Sequence, residues 1–302
     1  MIIEQSLPQL PNPKLDATHG TRALAELATA IFRDKTIDPG DAFMAHYDKE
    51  AHYSDAVLGF KNDFEAIQAT MGPLTARWPD NARAYPTRVL GDTDSAIIFF
   101  VDEPVLFGNE ARLLTAVNFR DKKILRQVDY SDGRHFGTDA INKLAPAIPG
   151  QRRIPPGSLP ADLGEKAIGE TAGPVMRTVS AALSTAFSGA DFIGAGELFA
   201  PDATLEDLTL HTQIVGPRAI TGYLQSSLAL LPYGVETRLR HVVGSNRGGG
   251  YEWIADSGAV RNGIVALELG EDKLINRMTT VWDGSLLDDD AIVTLLKHTI
   301  ER

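Results

Sequence analysis

Hydrophobic and polar positions follow the same order of patterns twice along the chain. Each copy opens with a segment whose apolar residues recur every three to four positions, which is typical of an amphipathic helix. Two further helical patterns follow in each copy. The predicted helices are 21–35, 40–48 and 63–78 in the first copy, and 174–187, 192–200 and 216–231 in the second.

Strand patterns occupy the rest of each copy. A short strand follows the second helix, and three strands rich in β-branched residues follow the third, closing on ILRQVDYSDG (124–133) and INRMTTVWDG (275–284). Alternation and β-branched content indicate strands. The predicted order is ααβαβββ in each copy, an α+β unit with helices on one face of a curved antiparallel sheet.

The two copies align residue by residue. The closing phrases lie 151 positions apart, and three more matches keep the same order at offsets of 152 or 153: 46–55 with 198–207, 64–67 with 217–220, and 88–91 with 241–244. Collinear matches of this kind indicate a tandem duplication. Between the copies the chain is dense in Pro and Gly, as linkers are. The predicted organisation is domain 1 at 1–145, a linker at 146–171 and domain 2 at 172–302.

Charge and composition narrow the classes of partner. The net charge is −11 and no Lys/Arg run is longer than Arg152-Arg153, so nucleic acid and anionic membrane surfaces are not expected partners. Cysteine is absent, which excludes disulfides, thiolate catalysis and thiolate metal sites. The N-terminus lacks the pattern of a signal peptide, and no apolar run approaches the ~20 residues of a membrane span. We therefore expect a soluble, cytoplasmic protein.

Three motifs of the first copy point to a known group of folds. They are Ala-x-Tyr-x-Asp at 51–55, Phe-Glu-Ala-Ile at 64–67 and Tyr-Ser-Asp-Gly at 130–133. Their partners in the second copy are Ala203, Asp207, Arg218-Ala219-Ile220 and Trp282-Asp283-Gly284. With this order of elements, the chain resembles the nuclear-transport-factor-2-like superfamily, in particular its SnoaL-like polyketide cyclase branch.

The resemblance implies a fold and a set of activities. Each copy is expected to form a cone, in which a cystatin-like curved sheet and its helices enclose a deep apolar pocket. Members usually dimerise through their sheets, so two tandem cones are expected to form an internal pseudo-dimer, which can still associate with another chain. The superfamily includes ketosteroid isomerases, polyketide cyclases, dehydratases, epoxide hydrolases and non-catalytic binders, so the site must be argued from side chains.

Candidate site residues in the first copy come from strand alternation. Tyr53 and Asp55 share one face of the first strand, and Tyr130 and Asp132 share one face of the last strand. If those faces line the cone, two carboxylates and two phenols meet in an apolar pocket, where a carboxyl group is tuned to act as acid or base near neutral pH. Asp129 lies on the opposite face and is the alternative if the phase is wrong by one residue.

The second copy offers a different set. Asp207 and Asp283 repeat the carboxylates, and His241 with Asp207 or Glu252 is a candidate acid–base pair. The sequence does not decide which of the two copies is active. Four residues are candidates for substrate contact: Trp78, Arg88, Tyr251 and Trp253.

Structural roles compete with the catalytic ones. The repeated Asp-Gly step is a common turn device, so Asp132 and Asp283 are as readily turn caps as catalysts. Buried tyrosines are more often core residues with a satisfied hydroxyl than catalytic phenols. The two tryptophans of the second copy are expected to be packing residues or pocket wall.

Two functions from different classes follow. The first is a cofactor-free acid–base enzyme, a cyclase, isomerase or lyase, acting on a hydrophobic aromatic or polycyclic small molecule. In it, Asp55 or Asp207 removes a proton and Tyr130 or His241 stabilises the oxyanion. No metal is expected, since no spacing such as H-E-x-x-H occurs. The second is a non-catalytic binding or interaction module. An enzyme predicts a buried carboxylate with a perturbed pKa in a pocket of several hundred cubic ångströms. A binder predicts filled cones.

Overall fold

The computed structural model describes residues 14–38, 40–75, 78–79, 81–136, 152–153 and 171–300. Most of the predicted linker at 146–171 lies outside the described residues. Within it, Arg152–Arg153 forms a two-residue strand that pairs with the edge of the first sheet.

Helices occur where the periodic patterns predict them. In the first half they are α1 (Arg22–Ile37), α2 (Asp41–Met44), α3 (Phe64–Thr75) and α4 (Pro104–Phe107), and in the second half α5 (Pro174–Ser188), α6 (Phe192–Glu197), α7 (Pro217–Ser227) and α8 (Asp289–His298). All six predicted helices are present, and α2, α3, α6 and α7 are shorter than predicted. The sequence prediction missed α4 and α8. The second of these begins after Asp288, whose side chain accepts a hydrogen bond from the Ala291 backbone N–H and so caps the helix.

The strands are more numerous than predicted. They are β1 (Tyr47–Asp55), β2 (Phe60–Asp63), β3 (Ala84–Gly91), β4 (Ser95–Asp102), β5 (Ala111–Arg120), β6 (Lys123–Ser131), β7 (Arg152–Arg153), β8 (Phe199–Asp207), β9 (Thr212–Val215), β10 (Thr237–Gly244), β11 (Gly248–Ala255), β12 (Asn262–Leu269) and β13 (Ile275–Trp282). Each half thus has two strands before its third helix and four after it, so the predicted order ααβαβββ is wrong by two strands. The short β2 and β9 span four residues each, too few for alternation to reveal them.

Both halves build the same sheet. The strand order is β3-β4-β5-β6-β1-β2-β7 in the first half and β10-β11-β12-β13-β8-β9 in the second. Neighbouring strands are antiparallel except at one junction in each half, where β1 pairs with β6 and β8 pairs with β13 in parallel. The parallel junction places Asp55 beside Asp129, and Asp207 beside Thr280.

Each sheet has helices on one face and the other sheet on the opposite face. The helix-covered face of the first half contains a core that includes Leu24, Phe32 and Ile98. The two opposite faces meet in a separate apolar cluster, which we call the sheet–sheet interface: Ala56, Leu90, Ile97, Phe99, Leu114, Ala116, Val128, Tyr130, Val243, Ile264, Ala266 and Val281. The predicted fold class, α+β with two tandem cone-like domains forming an internal pseudo-dimer, is confirmed.

Among the described residues, no helix combines the length and the apolar character needed to cross a membrane.

Candidate functional site

The first half encloses a cavity of about 90 Å³ between its sheet and its helices. Its wall is mostly apolar, with residues such as Phe43, Ile67 and Leu113. The polar residues of the wall are Lys35, Tyr47, Tyr53, Asp55, Thr70, Asp102, Thr115, Gln127 and Asp129. The prediction of an enzyme pocket of several hundred cubic ångströms is wrong, because the cavity is smaller. Ionisable side chains converge on it as expected.

Sheet register explains why four of these polar side chains meet. In the parallel pair of β1 and β6, Tyr53 is opposite Gln127 and Asp55 is opposite Asp129. Residues two apart on a strand share a face, so all four side chains point to the helix-covered side of the sheet. The end of the parallel junction is therefore a polar corner of a mainly apolar cavity.

Asp129 is held by a short chain of hydrogen bonds. The Tyr47 hydroxyl donates to Gln127 Oε1 at 2.7 Å, and Gln127 Nε2 donates to Asp129 Oδ1 at 2.9 Å. The Tyr53 hydroxyl donates to Asp129 Oδ2 at 3.0 Å. Burial raises the pKa of the Asp129 carboxyl, and the bonds from Gln127 and Tyr53 oppose that rise.

Asp55 is bound through one of its two carboxylate oxygens. Its Oδ1 accepts hydrogen bonds from the backbone N–H groups of Val57 (2.9 Å) and Leu58 (2.7 Å). Burial, and then the neighbouring Asp129 carboxylate, raise the pKa of Asp55 to about 7. Asp55 and Asp129 are opposite each other in the register of β1 and β6, and the charge of one carboxylate disfavours ionisation of the other in an apolar site.

A buried ion pair forms another part of the wall. Lys35 Nζ lies 3.2 Å from Asp102 Oδ1 and 5.0 Å from the centre of the Phe100 ring. Burial raises the pKa of Asp102, and Lys35 opposes that rise. Sequence reasoning missed both residues. The available signals were the position of Lys35 on the apolar face of α1, and Asp102 at the end of an otherwise apolar strand.

The candidates Tyr53, Asp55 and Trp78 all line this cavity. Trp78 packs edge-on against Phe107 at 6.2 Å, and Phe107 packs against Phe136 at 5.5 Å. These three rings form the aromatic cluster of the cavity wall. The roles proposed for the candidates stay predictions.

Tyr130 lies on the other side of the sheet, so its predicted place in the pocket is wrong. It belongs to the sheet–sheet interface, where its hydroxyl donates to Glu252 Oε1 at 2.6 Å. The assumed phase of β6 was off by one residue, and the alternative, Asp129, is the residue that faces the cavity.

Three further candidates bind across the two halves instead of lining the cavity. Glu252 Oε2 lies 2.7 Å from Arg126 Nη2. His241 Nε2 lies 2.8 Å from Asn118 Oδ1, and Arg88 Nη1 donates to Glu268 Oε1 at 2.6 Å. His241 and Glu252 are opposite each other in the β10–β11 register, as their proposed pairing requires. The predicted place of His241 and Glu252 in a pocket is wrong, because the first sheet covers the face of the second sheet on which they lie.

The two Asp-Gly steps build turns. Asp132 precedes the 3-10 turn Gly133–His135, and Asp283 precedes the 3-10 turn Gly284–Leu286; each side chain accepts a hydrogen bond from the backbone N–H two residues on. Asp283 Oδ1 also accepts from the Gly133 N–H at 3.0 Å, which joins the two halves. The turn-cap interpretation therefore describes both residues, and neither lines the cavity.

The second half has other residues at the positions equivalent to the polar corner. The register pairs Leu205 with Met278 and Asp207 with Thr280, where the first half pairs Tyr53 with Gln127 and Asp55 with Asp129. Of the four residues in the first half, only Asp55 has an identical residue, Asp207, at the equivalent position of the second half.

Asp207 itself is fully engaged. It accepts hydrogen bonds from the N–H groups of Thr209 (2.9 Å) and Leu210 (3.0 Å) and from Trp282 Nε1 (3.1 Å). Burial raises its pKa to about 6. Tyr251 and Trp253 are buried in the core of the second half, and Gly263 leaves the space that the Trp253 ring occupies. Both side chains belong to the packed core of the second half, and the cavity of the first half, which Asp55 and Asp129 line, is the candidate site.

No family model and no curated protein matches this chain. Solved structures do. A steroid delta-isomerase from Pseudomonas aeruginosa is 15% identical, with a TM-score of 0.34 over 42% of this chain and 90% of that one. A SnoaL-like protein of unknown function from Burkholderia thailandensis is 10% identical, with a TM-score of 0.32 over 36% and 96%. An NTF-2 like protein of unknown function from Burkholderia xenovorans is 15% identical, with a TM-score of 0.31 over 36% and 83%.

SnoaL-like and NTF-2 like, the names of two of these structures, are also the names of the folds that the sequence resembles. At such identities and TM-scores, the likeness carries no argument about activity.

Proposed function

We propose that the protein is a cofactor-independent acid–base enzyme that uses the cavity of its first half to move protons on a small, mainly apolar molecule. The observation that carries the proposal is the Asp55–Asp129 pair. One of its carboxyl groups has a pKa of about 7, and both lie in a mainly apolar cavity. A group whose pKa lies near the working pH serves as acid or base with the least penalty.

The pair supplies both the base and the acid of a proton transfer. The ionised carboxylate accepts a proton from a carbon next to a carbonyl group, and the C–H electron pair moves to form the enol or enolate. The protonated carboxyl donates a hydrogen bond to the carbonyl oxygen as negative charge develops there. Returning the proton to a different atom completes an isomerisation. Expelling a leaving group from the same intermediate completes an elimination.

Tyr53 and Gln127 act as positioning residues in this proposal. Both donate to Asp129, so they stabilise its ionised form and leave Asp55 as the member that holds the shared proton. Their hydrogen bonds also fix the carboxylate plane against the strand. Ketosteroid isomerase likewise combines an ionised Asp that acts as the base with a protonated Asp that donates a hydrogen bond to the oxyanion.

Cavity size restricts the substrate. An apolar cavity of about 150 Å³ accommodates benzene, and this one has about 90 Å³. A small aliphatic ketone or acid derivative is the better fit. An aromatic or polycyclic substrate requires the aromatic cluster of Trp78, Phe107 and Phe136 to move.

The test is proton exchange at carbon. Small enolisable ketones such as acetone, butanone and cyclopentanone are incubated with the protein in D₂O, and loss of the α-proton signal is followed by NMR. We expect exchange above the buffer rate with the wild-type chain. Asp55→Asn and Asp129→Asn should each reduce it at least ~100-fold, as loss of a general acid or base does. Asp207→Asn is the matched control from the second half and should keep the wild-type rate.

The small volume favours a second candidate, a non-catalytic binding module for a small ligand. The same samples distinguish the two. Shifts of the Tyr53 and Gln127 signals on adding a ketone, without any exchange above buffer, support the binding module and contradict the enzyme. Exchange that survives in both Asp55→Asn and Asp129→Asn contradicts the proposed site.

A further inference from the structure

A second group of ionisable side chains lies away from the cavity, where the two halves meet. Asp132 caps the 3-10 turn after β6, His135 is the last residue of that turn, and His211 closes the turn between β8 and β9. One ligand atom from each of the three lies within 4.8 Å of the other two. The His135 and His211 rings are 6.1 Å apart. Two imidazoles and a carboxylate from opposite halves thus converge on one point.

The duplication shows that the turns do not need the histidines. Counting from the paired turn aspartates, the equivalent of His135 is Leu286, three residues after Asp283. Both aspartates cap their turns in the same way. The turn geometry is therefore complete without an imidazole at this position.

The same comparison applies to His211. Its equivalent is Gly59, since each lies four residues after the paired Asp207 or Asp55. Gly59 has φ 65° and His211 has φ 53°, so both occupy the left-handed region. A side chain there is strained against the backbone, which glycine avoids. His211 therefore stands at a position where the fold alone favours glycine.

The donor atoms suit a transition-metal cation. Among described residues, His135 Nδ1 is buried and has no hydrogen-bond partner. Asp132 is buried and is oriented by Arg134, whose Nη2 and Nε lie 2.6 Å and 2.8 Å from Oδ2. Ligating carboxylates are commonly held by such outer hydrogen bonds. The Arg134 charge also offsets that of Asp132, so the site is expected to be weaker than a closed structural zinc site.

We propose that Asp132, His135 and His211 bind one divalent transition-metal cation of the zinc class, which links the two halves of the chain. Imidazole and carboxylate ligands suit Zn²⁺, and three protein ligands leave a fourth position for water. The sequence expectation of no metal rested on local spacing. Here the ligands come from segments more than seventy residues apart, which spacing within a motif does not reveal.

The test measures binding of Zn²⁺ and Co²⁺ to the full-length, metal-stripped chain. The decisive variant is His211→Gly, which removes a ligand and restores the residue found at the equivalent position. It should fold at least as stably as the wild-type chain without metal. His135→Gln removes a second ligand, and His298→Gln at the end of α8 is the matched control.

We expect one Zn²⁺ per wild-type chain by calorimetry, visible absorption bands of bound Co²⁺, and a melting temperature that rises with metal concentration. His211→Gly and His135→Gln should bind at least ~10-fold more weakly and lose the metal-dependent rise, whereas His298→Gln should keep both. The proposal is overturned by the absence of stoichiometric binding to the wild-type chain, or by binding that His211→Gly leaves unchanged.

Discussion

Asp55 and Asp207 occupy equivalent positions and are bound by equivalent backbone groups, yet their side-chain neighbours differ. Each accepts hydrogen bonds through Oδ1 from the N–H groups two and three residues on. Beside Asp55 stands a second carboxylate, Asp129, whereas Asp207 lies beside Thr280 and accepts a further bond from the Trp282 ring N–H. The second carboxylate is the difference on which the proposed acid–base role of Asp55 depends.

Replacing Asp55 by asparagine should change how stability depends on pH. The pKa of Asp55 rises from 3.8 to about 7 on folding, so the folded chain binds the proton more tightly than the unfolded chain. Stability is therefore lost as pH rises from about 4 to about 7. The asparagine side chain of the Asp55→Asn variant stays neutral and can still accept the two backbone hydrogen bonds through its oxygen. The free energy of unfolding of this variant should exceed that of the wild type by up to about 4 kcal/mol at pH 8, since each pKa unit corresponds to about 1.4 kcal/mol.

Urea unfolding of both chains at pH 4.5, 6 and 8 measures this difference. It should be small at the lowest pH and grow toward pH 8. A difference that stays constant over this range would mean that Asp55 is ionised throughout and shares no proton with Asp129.

At the residue scale, the sequence predicted Tyr53 and Asp55 in the pocket but placed Asp129 only as an alternative. Alternation tells which residues share a face, yet it does not tell which face the helices cover. Burial does not distinguish the two faces of β6 either, because the other sheet covers the opposite one. The choice between Asp129 and Tyr130 required the register of the parallel junction.

At the scale of elements, β6 serves two sites at once. Gln127 and Asp129 face the cavity, while Arg126 and Tyr130 reach Glu252 of the other half. Arg126 and Glu252 are both almost fully buried. A buried ion pair is costly to break from one side, because the remaining charge loses its partner in a medium of low dielectric constant.

Glu252→Gln should destabilise the chain by about 3–5 kcal/mol, since it leaves the Arg126 guanidinium without this carboxylate.

Tyr130→Phe should cost about 1–3 kcal/mol through the lost hydrogen bond to a charged acceptor. Chemical denaturation measures both. Proton exchange by Tyr130→Phe should match the wild type. A selective loss of exchange in a stably folded Tyr130→Phe chain would return this tyrosine to the catalytic candidates.

Element prediction succeeded where the periodic pattern is long and failed where it is short. The helices α1 and α5 carry apolar stripes of four turns and were found within two residues of their ends. The four-residue strands β2 and β9 give alternation too little length to be recognised. The polar corner of the cavity depends on β1 pairing with β6 in parallel, which no local pattern reports.

At the scale of the whole molecule, the two halves of the chain pack against each other as the two subunits of a dimer do. The sheet–sheet interface contains Leu114, Val128, Ile264 and Val281, all fully buried between the halves. The family resemblance and the duplication together predicted this arrangement from the sequence, because members of the superfamily usually dimerise through their sheets. They did not predict that the two carboxylates would meet in the cavity of the first half only.

Cutting the chain between residues 154 and 170 at an engineered protease site should leave the halves associated. The apolar interface and the cross-half bonds of Glu252 and Glu268 hold them without the covalent link. Size-exclusion chromatography of the cut protein should give one peak at the mass of the intact chain. Elution near half that mass would show that the interface does not hold the halves together without the covalent link.

The most direct test of the account is a carboxyl ¹³C NMR titration of the aspartates in the intact chain. We predict a signal that titrates near pH 7 and disappears in Asp55→Asn. In Asp129→Asn, the Asp55 signal should titrate at lower pH because its charged neighbour is gone. Asp207→Asn identifies the separate signal expected near pH 6. If Asp55 instead titrates at its ordinary value and does not respond to Asp129→Asn, the two carboxyl groups share no proton, and the cavity of the first half is not an acid–base site.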